Sequence, residues 1–246
     1  KLTKEAIEKY APFKQFVLKS DKKWSNIEIW RAMRVASRKL SPAYLAASLD
    51  YNYTFDGKFE KRDEKRQIHI LLFLRTLEIS FIVTVACLLL GYPIAYLLAG
   101  LPVRSANLLL ILVLLPFWTS LLVRTTAWIA MLQGQGVMND LFVVFGFATD
   151  EDRFSLIYNK TGTLIAMTHI LLPFMILPLY SVMKTIPPSY VRAAKSMGAT
   201  NSTSFWRIYF PQSVPGIGAG ALLVFILAIG YFITPALVGG QDGIMI

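Results

Sequence analysis

The sequence predicts an all-α fold, a polytopic bundle of membrane helices with a small helical extracytoplasmic segment. Three observations lead there. Apolar residues make up 55% of the 246 residues and charged residues only 16%, against about 25% charged in soluble domains, and mean hydropathy is +0.51. The apolar residues gather into four runs, each near the ~20 residues a helix needs to cross a bilayer. Residues 1–67 break that pattern, with sixteen Lys or Arg and nine Asp or Glu, which is +7 of the net +10.

Residues 1–67 read as one unit and 68–246 as the transmembrane domain. In the first, Ser41 to Ser48 (SPAYLAAS) predicts a short amphipathic helix after a Ser-Pro start, with Trp24, Trp30 and Tyr44 supplying a small apolar face. Tyr51 to Asp63 reads as a turn-rich connector around Asp56 and Gly57. Charges of both signs are interspersed here, the pattern of a solvated surface, so no nucleic-acid partner is expected.

The membrane segments fall at about 68–100, 106–132, 161–183 and 214–238. Ile79 to Leu98 and Val214 to Val238 carry no charge, Thr161 to Met183 has only His169, and the second run is interrupted only by Arg124. Four such runs in succession are hard to bury in a soluble core. Cys87 is the single cysteine, so no intrachain disulfide forms. His69 and His169 are too few and too far apart for a metal centre and read as packed or partner-bonded. No GxxxxGK[ST] loop exists to cradle nucleotide phosphates, so this chain is expected to bind no cofactor, hold no metal and carry no catalytic residue.

Loop charges set the orientation. The 184–213 loop holds Lys184, Arg192, Lys195 and Arg207 with no acid, which makes it cytoplasmic, and the turn Pro102 to Ser105 with Arg104 belongs on the same side. Gln133 to Lys160 carries Asp140, Asp150, Glu151 and Asp152 against Arg153 and Lys160, which suits the opposite side. Parity then puts residues 1–67 outside, as long segments cross largely regardless of charge. Export of that segment calls for a membrane helix before Lys1, and at least one more is expected after Ile246.

Within the cytoplasmic loop, Pro187 and Pro188 suit the first turn of a helix running through Met197. Gly198 suits its stop, Asn201 or Ser202 a second cap, and Pro211 an end or kink just before the next span. Ala193 and Ala194 keep one side of the first helix thin. Val191, Ala194 and Met197 share a face, as do Phe205 and Ile208. A small-residue face favours docking by a protein partner over insertion into lipid, which prefers bulky residues.

A charge in the bilayer costs about 2.5–3.5 kcal/mol on insertion scales and so marks a pathway or a pair. Arg75 and Glu78, three residues apart, read as a local ion pair, and Glu78 is the one acid in the membrane segments. Arg124 is either a pathway residue or a structural contact to backbone carbonyls. With the aromatics Trp118, Trp128 and Tyr231, these residues form the pathway candidates: Glu78, Trp118, Arg124, Trp128 and Tyr231. Pro173, Pro178, Pro211 and Pro215 are candidate fixed kinks. An intramembrane hydrolase would need a nucleophile beside His169, and none is evident. A secondary transporter would need ion-binding acids, and those are missing, although Gly91 would suit an interrupted helix.

Ala193-Ala194, Gly198, Ile208, Pro211 and then Pro215-Gly216-Ile217 resemble the EAA loop of bacterial ABC importer permeases. That pattern runs Glu-Ala-Ala, three residues, Gly, nine residues, Ile, any residue, Leu-Pro. Here Arg192 stands at the Glu and Phe210 at the Leu. LSPAYLAASLDYNYTFDG, YPIAYLLA and LLPFWTSLLVRTTAWIAMLQGQGVMN are similar to permeases of the spermidine/putrescine type. The resemblance implies the type I ABC importer permease fold with six helices per subunit, in the bacterial inner membrane. It implies a pair of ABC ATPase subunits that use ATP and Mg, a second permease subunit that is a different chain, and an extracytoplasmic solute-binding protein. It assigns ATPase coupling to Arg192, Ala193, Ala194, Met197, Gly198, Ile208 and Pro211, and favours a polyamine as solute. Opine-like or amino-acid-like solutes stay open.

Overall fold

The structure is a computed structural model that describes residues 26, 29, 33, 43–53, 58–63, 67–243 and 245. The chain divides into two compact units, Lys1–Leu71 and Leu72–Ile246.

In the first unit, α1 (Ala43–Ser48) is followed by strands β1 (Tyr51–Tyr53) and β2 (Phe59–Lys61), which pair antiparallel with Asn52 opposite Glu60. The expected connector is therefore a hairpin. Its Tyr and Phe residues favour strand pairing, and Tyr53 packs on Phe59 with ring centroids 5.3 Å apart. The expected roles of Trp24, Trp30 and the Tyr44 side chain lie outside the described residues. Asp50, only 2% exposed, accepts the backbone N–H of Ile70 at 2.8 Å and bonds Nδ1 of His69 at 2.9 Å. It thereby satisfies free amides at the start of the first long helix. Burial works against its charge, yet the Ile70 amide and the His69 ring hold its carboxyl below the usual carboxylate range.

In the second unit, α2 (His69–Gly100), α6 (Lys160–Thr185) and the run Asn201–Ile229 are long and apolar enough to cross a membrane. Ile79, Val83, Cys87, Ala95 and Leu98 form the buried stripe of α2, at helical spacing. The central helix is α6. Met167, Leu171, Met175, Ile176 and Leu179 on it are buried in the core, and both Pro173 and Pro178 are accommodated inside it. Facing it is the GIGAG stretch of α9 (Phe210–Ile229). A Cβ on Gly220 would stand 2.8 Å from the Met175 sulfur and 3.2 Å from its carbonyl oxygen, and one on Gly216 would stand 3.0 Å from Val182 Cβ. Two glycines four apart let the helices meet backbone to side chain, the small-residue packing on which membrane helices rely.

The 106–132 run is not one straight helix. It is divided among α3 (Val103–Leu114), a 3₁₀ turn (Leu115–Trp118) and α4 (Leu121–Leu132). The bend between Val103–Trp118 and the Leu121–Val144 segment, which includes α5 (Val137–Val144), is 95°. Pro116 removes a backbone donor at the turn, and the Ser120 side chain caps α4 by accepting the Val123 N–H at 3.2 Å. Likewise the 214–238 run stops as a helix at Ile229, and a separate helix, α10 (Ile233–Val238), follows Gly230 before α11 (Gly240–Gly243).

Candidate functional site

The elbow between α6 and the Asn201–Ile229 run is built from local rules. Helix α7 (Pro188–Ser196) opens with proline in its first turn, where the missing N–H costs nothing. It closes with Gly198 at φ +87°. The Gly198 N–H reaches the Lys195 carbonyl at 2.9 Å and the Ala199 N–H reaches Ala194 at 3.0 Å, the paired bonds that end a helix on a left-handed glycine. The second arm starts at Asn201, but its cap is Thr200, whose side chain accepts the Thr203 N–H at 3.2 Å. The caps expected at Asn201 or Ser202 lie one or two residues too late. After the short α8 (Asn201–Ser204) come five residues of π-helix, Phe205–Tyr209, and the Phe210 N–H bonds back to Phe205.

Pro211 therefore does not end the arm. The wider π turn makes room for its ring against the preceding turn, and the helix continues. Asn201–Ile229 is one run of 29 residues. The arm is braced against α2 by aromatic rings that the sequence reading missed. Tyr96 packs edge-on to Phe205 and Tyr209 at 5.6 and 5.0 Å, and the Tyr92 hydroxyl bonds Ser213 Oγ at 3.0 Å. The aromatic pairs 92/96 and 205/209, each four apart, are the signal that points to it.

Of the predicted coupling residues, Ala194 is 5% exposed while Met197 is 82% exposed. The thin face at Ala194 is thus covered, and with Met197, Gly198, Arg207 and Ile208 it lines a 320 Å³ hollow at the elbow. Ala193, Arg192 and Pro211 stand on the outside, exposed.

The broken span forms a second candidate region. Arg124 on α4 donates to the Pro116 carbonyl at 2.5 Å and the Thr119 carbonyl at 3.1 Å. Its guanidinium lies 5.9 Å from the centre of the Phe117 ring, and Phe117 meets Phe174 of α6 edge-on at 4.9 Å. Trp128 Nε1 donates to His169 Nδ1 at 3.3 Å, and Arg124 is within electrostatic reach of both His169 and Tyr231. The structure thus brings Arg124, Trp128 and Tyr231 into one neighbourhood with His169, which sequence reasoning had set aside. Trp118 is 88% exposed. Broken helices occur at membrane depth where protein or a water-filled cavity covers the freed backbone groups.

Glu78 belongs elsewhere. Its carboxylate pairs with Lys160 Nζ at 2.6 Å, and Arg75 donates to the Gln241 carbonyl at 2.7 Å. The expected Arg75–Glu78 pair gives way to these partners: the acid meets the Lys160 ammonium at the start of α6, and the guanidinium meets a backbone carbonyl of α11.

A bundle of long apolar helices joined by a basic elbow defines a multi-pass membrane component. The family model described as binding-protein-dependent transport system inner membrane component matches residues 79–246, and the chain belongs to that family. It is 36% identical over 179 residues to the spermidine/putrescine transport system permease protein PotB of Escherichia coli (strain K12), covering 73% of this chain and 64% of that protein. It is 36% identical over 171 residues to PotB of Haemophilus influenzae, covering 70% and 59%. To the inner membrane ABC transporter permease protein YdcU of E. coli it is 32% identical over 178 residues, covering 68% and 57%. The chain thus spans less than two thirds of the length of these relatives.

Proposed function

We propose that this chain is the membrane-spanning permease subunit of an ATP-driven importer whose solute is a polyamine such as spermidine or putrescine. The observation that carries the coupling role is continuity: the second arm of the elbow and the membrane helix are a single helical run from Asn201 to Ile229. A push on the elbow then tilts a membrane span as a rigid body. ATP and Mg are used by a pair of ABC ATPase subunits that dock on the outer surface of the elbow at Arg192, Ala193 and Met197. Ala194, Gly198, Ile208 and Pro211 hold its shape. A second, different permease chain completes the pathway, and an extracytoplasmic binding protein delivers solute to the side that bears residues 1–67, opposite the cytoplasmic loop 184–213.

The solute class rests on similarity to relatives named for spermidine and putrescine, and on aromatic faces at the break, which attract cations. Trp118, Trp128, Tyr231 and Arg124 line the pathway in this reading, and Glu78 serves as a strut. A second reading is favoured by Arg124, whose buried Nε lacks a partner among the described residues: an opine-like or amino-acid-like solute would offer it a carboxylate. Reconstitution with the ATPase, second permease and binding protein in proteoliposomes decides between them. ATP-dependent uptake of spermidine or putrescine is expected, and uptake of only carboxylate-bearing solutes overturns the polyamine assignment.

A further inference from the structure

His169 stands exposed on α6 between two buried neighbours, Thr168 and Ile170. Its backbone thus belongs to the core while its ring reaches the broken span. The Trp128 Nε1–H of α4 donates to His169 Nδ1 at 3.3 Å, and the two rings meet edge to face with centroids 5.2 Å apart. An indole nitrogen only donates and an imidazolium has no free lone pair, so this bond requires a neutral His169 with its proton on Nε2. No other acceptor meets the Trp128 N–H among the described residues. The docking of this region does not hang on that contact alone: Thr125 of α4 bonds Thr234 at 3.3 Å, and Phe117 packs on Phe174 of α6.

On the polyamine reading above, we propose that His169 is a positioning residue of the solute pathway, which holds the Trp128 indole by its one N–H so that the ring offers its face to the ammonium groups of the solute. Tryptophan attracts a cation over its ring more strongly than the other aromatic side chains. Trp128 is half-buried and the N–H is its single polar handle, so the bond selects one orientation before solute arrives. A ring already in place spares the cost of ordering it on binding. Donation of the N–H also polarises the indole toward its ring, which strengthens that attraction. The bond acts on charge as well. Arg124, within electrostatic reach of His169, has its guanidinium on the Pro116 and Thr119 carbonyls, and a protonated His169 would add a second cation to repel a polyamine. Keeping Nδ1 as an acceptor keeps that charge out.

The test is ATP-dependent uptake of spermidine, at subsaturating solute, by the complete complex with its binding protein in proteoliposomes. His169→Phe keeps a ring but has no acceptor, and should lower the initial rate about fivefold, the worth of one hydrogen bond. His169→Asn puts a carbonyl oxygen near the place of Nδ1 and should recover most of that loss. In a Trp128→Phe background no N–H remains to be held, so His169→Phe should have little further effect. Melting temperatures in detergent should not follow the rates. Equal rates in wild type and His169→Phe, equal losses in His169→Phe and His169→Asn, or additive losses in the double variant overturn the positioning role and leave the polyamine reading standing. Rates that fall only in step with melting temperature mark the bond as a helix clasp and also overturn it. Absence of spermidine uptake by the wild type overturns both.

Discussion

Arg124 on one side of the 95° break donates to the carbonyl of Pro116 on the other, at 2.5 Å. The guanidinium bridges the break, adding a charged donor to the Pro116 and Thr119 carbonyls where the α-helical ladder stops. Arg124→Leu takes the charged donor from both carbonyls; Pro116 keeps the Thr119 hydroxyl at 2.8 Å and the Thr119 N–H at 3.3 Å, while the Thr119 carbonyl loses the guanidinium, so the change should cost about 1–3 kcal/mol, read as a lower melting temperature in detergent. Arg124→Lys keeps a donor and should restore part of that loss. If Arg124 also meets solute, Arg124→Lys recovers stability but shifts KM for uptake, whereas a purely structural role recovers both.

Glu78 and Lys160 join α2 to the start of α6 across a half-exposed contact. Solvent screens such a pair, so Glu78→Gln and Lys160→Gln should each cost only about 0.2–1 kcal/mol. Their combination should cost less than the sum, as for any two residues in direct contact. The charge-swapped double variant tests orientation as well, since it puts an acid at the N-terminus of α6, where the helix dipole favours it. Unchanged KM for uptake in Glu78→Gln identifies a strut, and a raised KM returns Glu78 to the pathway.

These two sites mark how far the sequence could be read. Arg75 and Glu78 satisfy the three-residue spacing of a helical ion pair, yet their partners lie 166 and 82 residues away, where local periodicity has no reach. The four apolar runs were legible because bilayer thickness acts on composition alone. The break at Pro116 was not, since Pro173 and Pro178 sit inside an unbroken helix and proline by itself does not distinguish the two cases. The elbow was legible through its punctuation, the Pro187-Pro188 start and the Gly198 stop. Its aromatic brace depends on α2, more than a hundred residues upstream, and its GIGAG face is explained only by packing on Met175 and Val182.

The Asp50 carboxyl gives the first unit a pH response. Its pKa in the fold is depressed below the ordinary 3.8, so the stability it contributes is present above that value and lost as pH falls through the lower, folded one. Protection of the amides of residues 43–53 and 67–71 relative to their intrinsic exchange rates is therefore expected to hold at neutral pH and to fall below about pH 3.8. Asp50→Asn should remove that acid transition and quicken exchange at the Ile70 amide at all pH values, because the neutral amide is the weaker acceptor. An acid transition that persists in Asp50→Asn assigns it to another carboxyl.

Gly198 offers the sharpest test of the coupling elbow because its effect is purely conformational. Its φ is +87°, and among the described residues nothing beyond its own chain neighbours lies within 4 Å of the position a Cβ would take, so a side chain meets strain but no clash. Gly198→Val should cost at least the ~1–2 kcal/mol of a left-handed L-residue, and more for its β-branch. Gly198→Asn, which tolerates that region, should cost less than Gly198→Val although the two side chains are similar in size. Solute-stimulated ATP hydrolysis by the reconstituted complex should follow the same order, wild type above Asn above Val. Equal activity in all three would mean that the ATPase does not act through a rigid elbow at this turn.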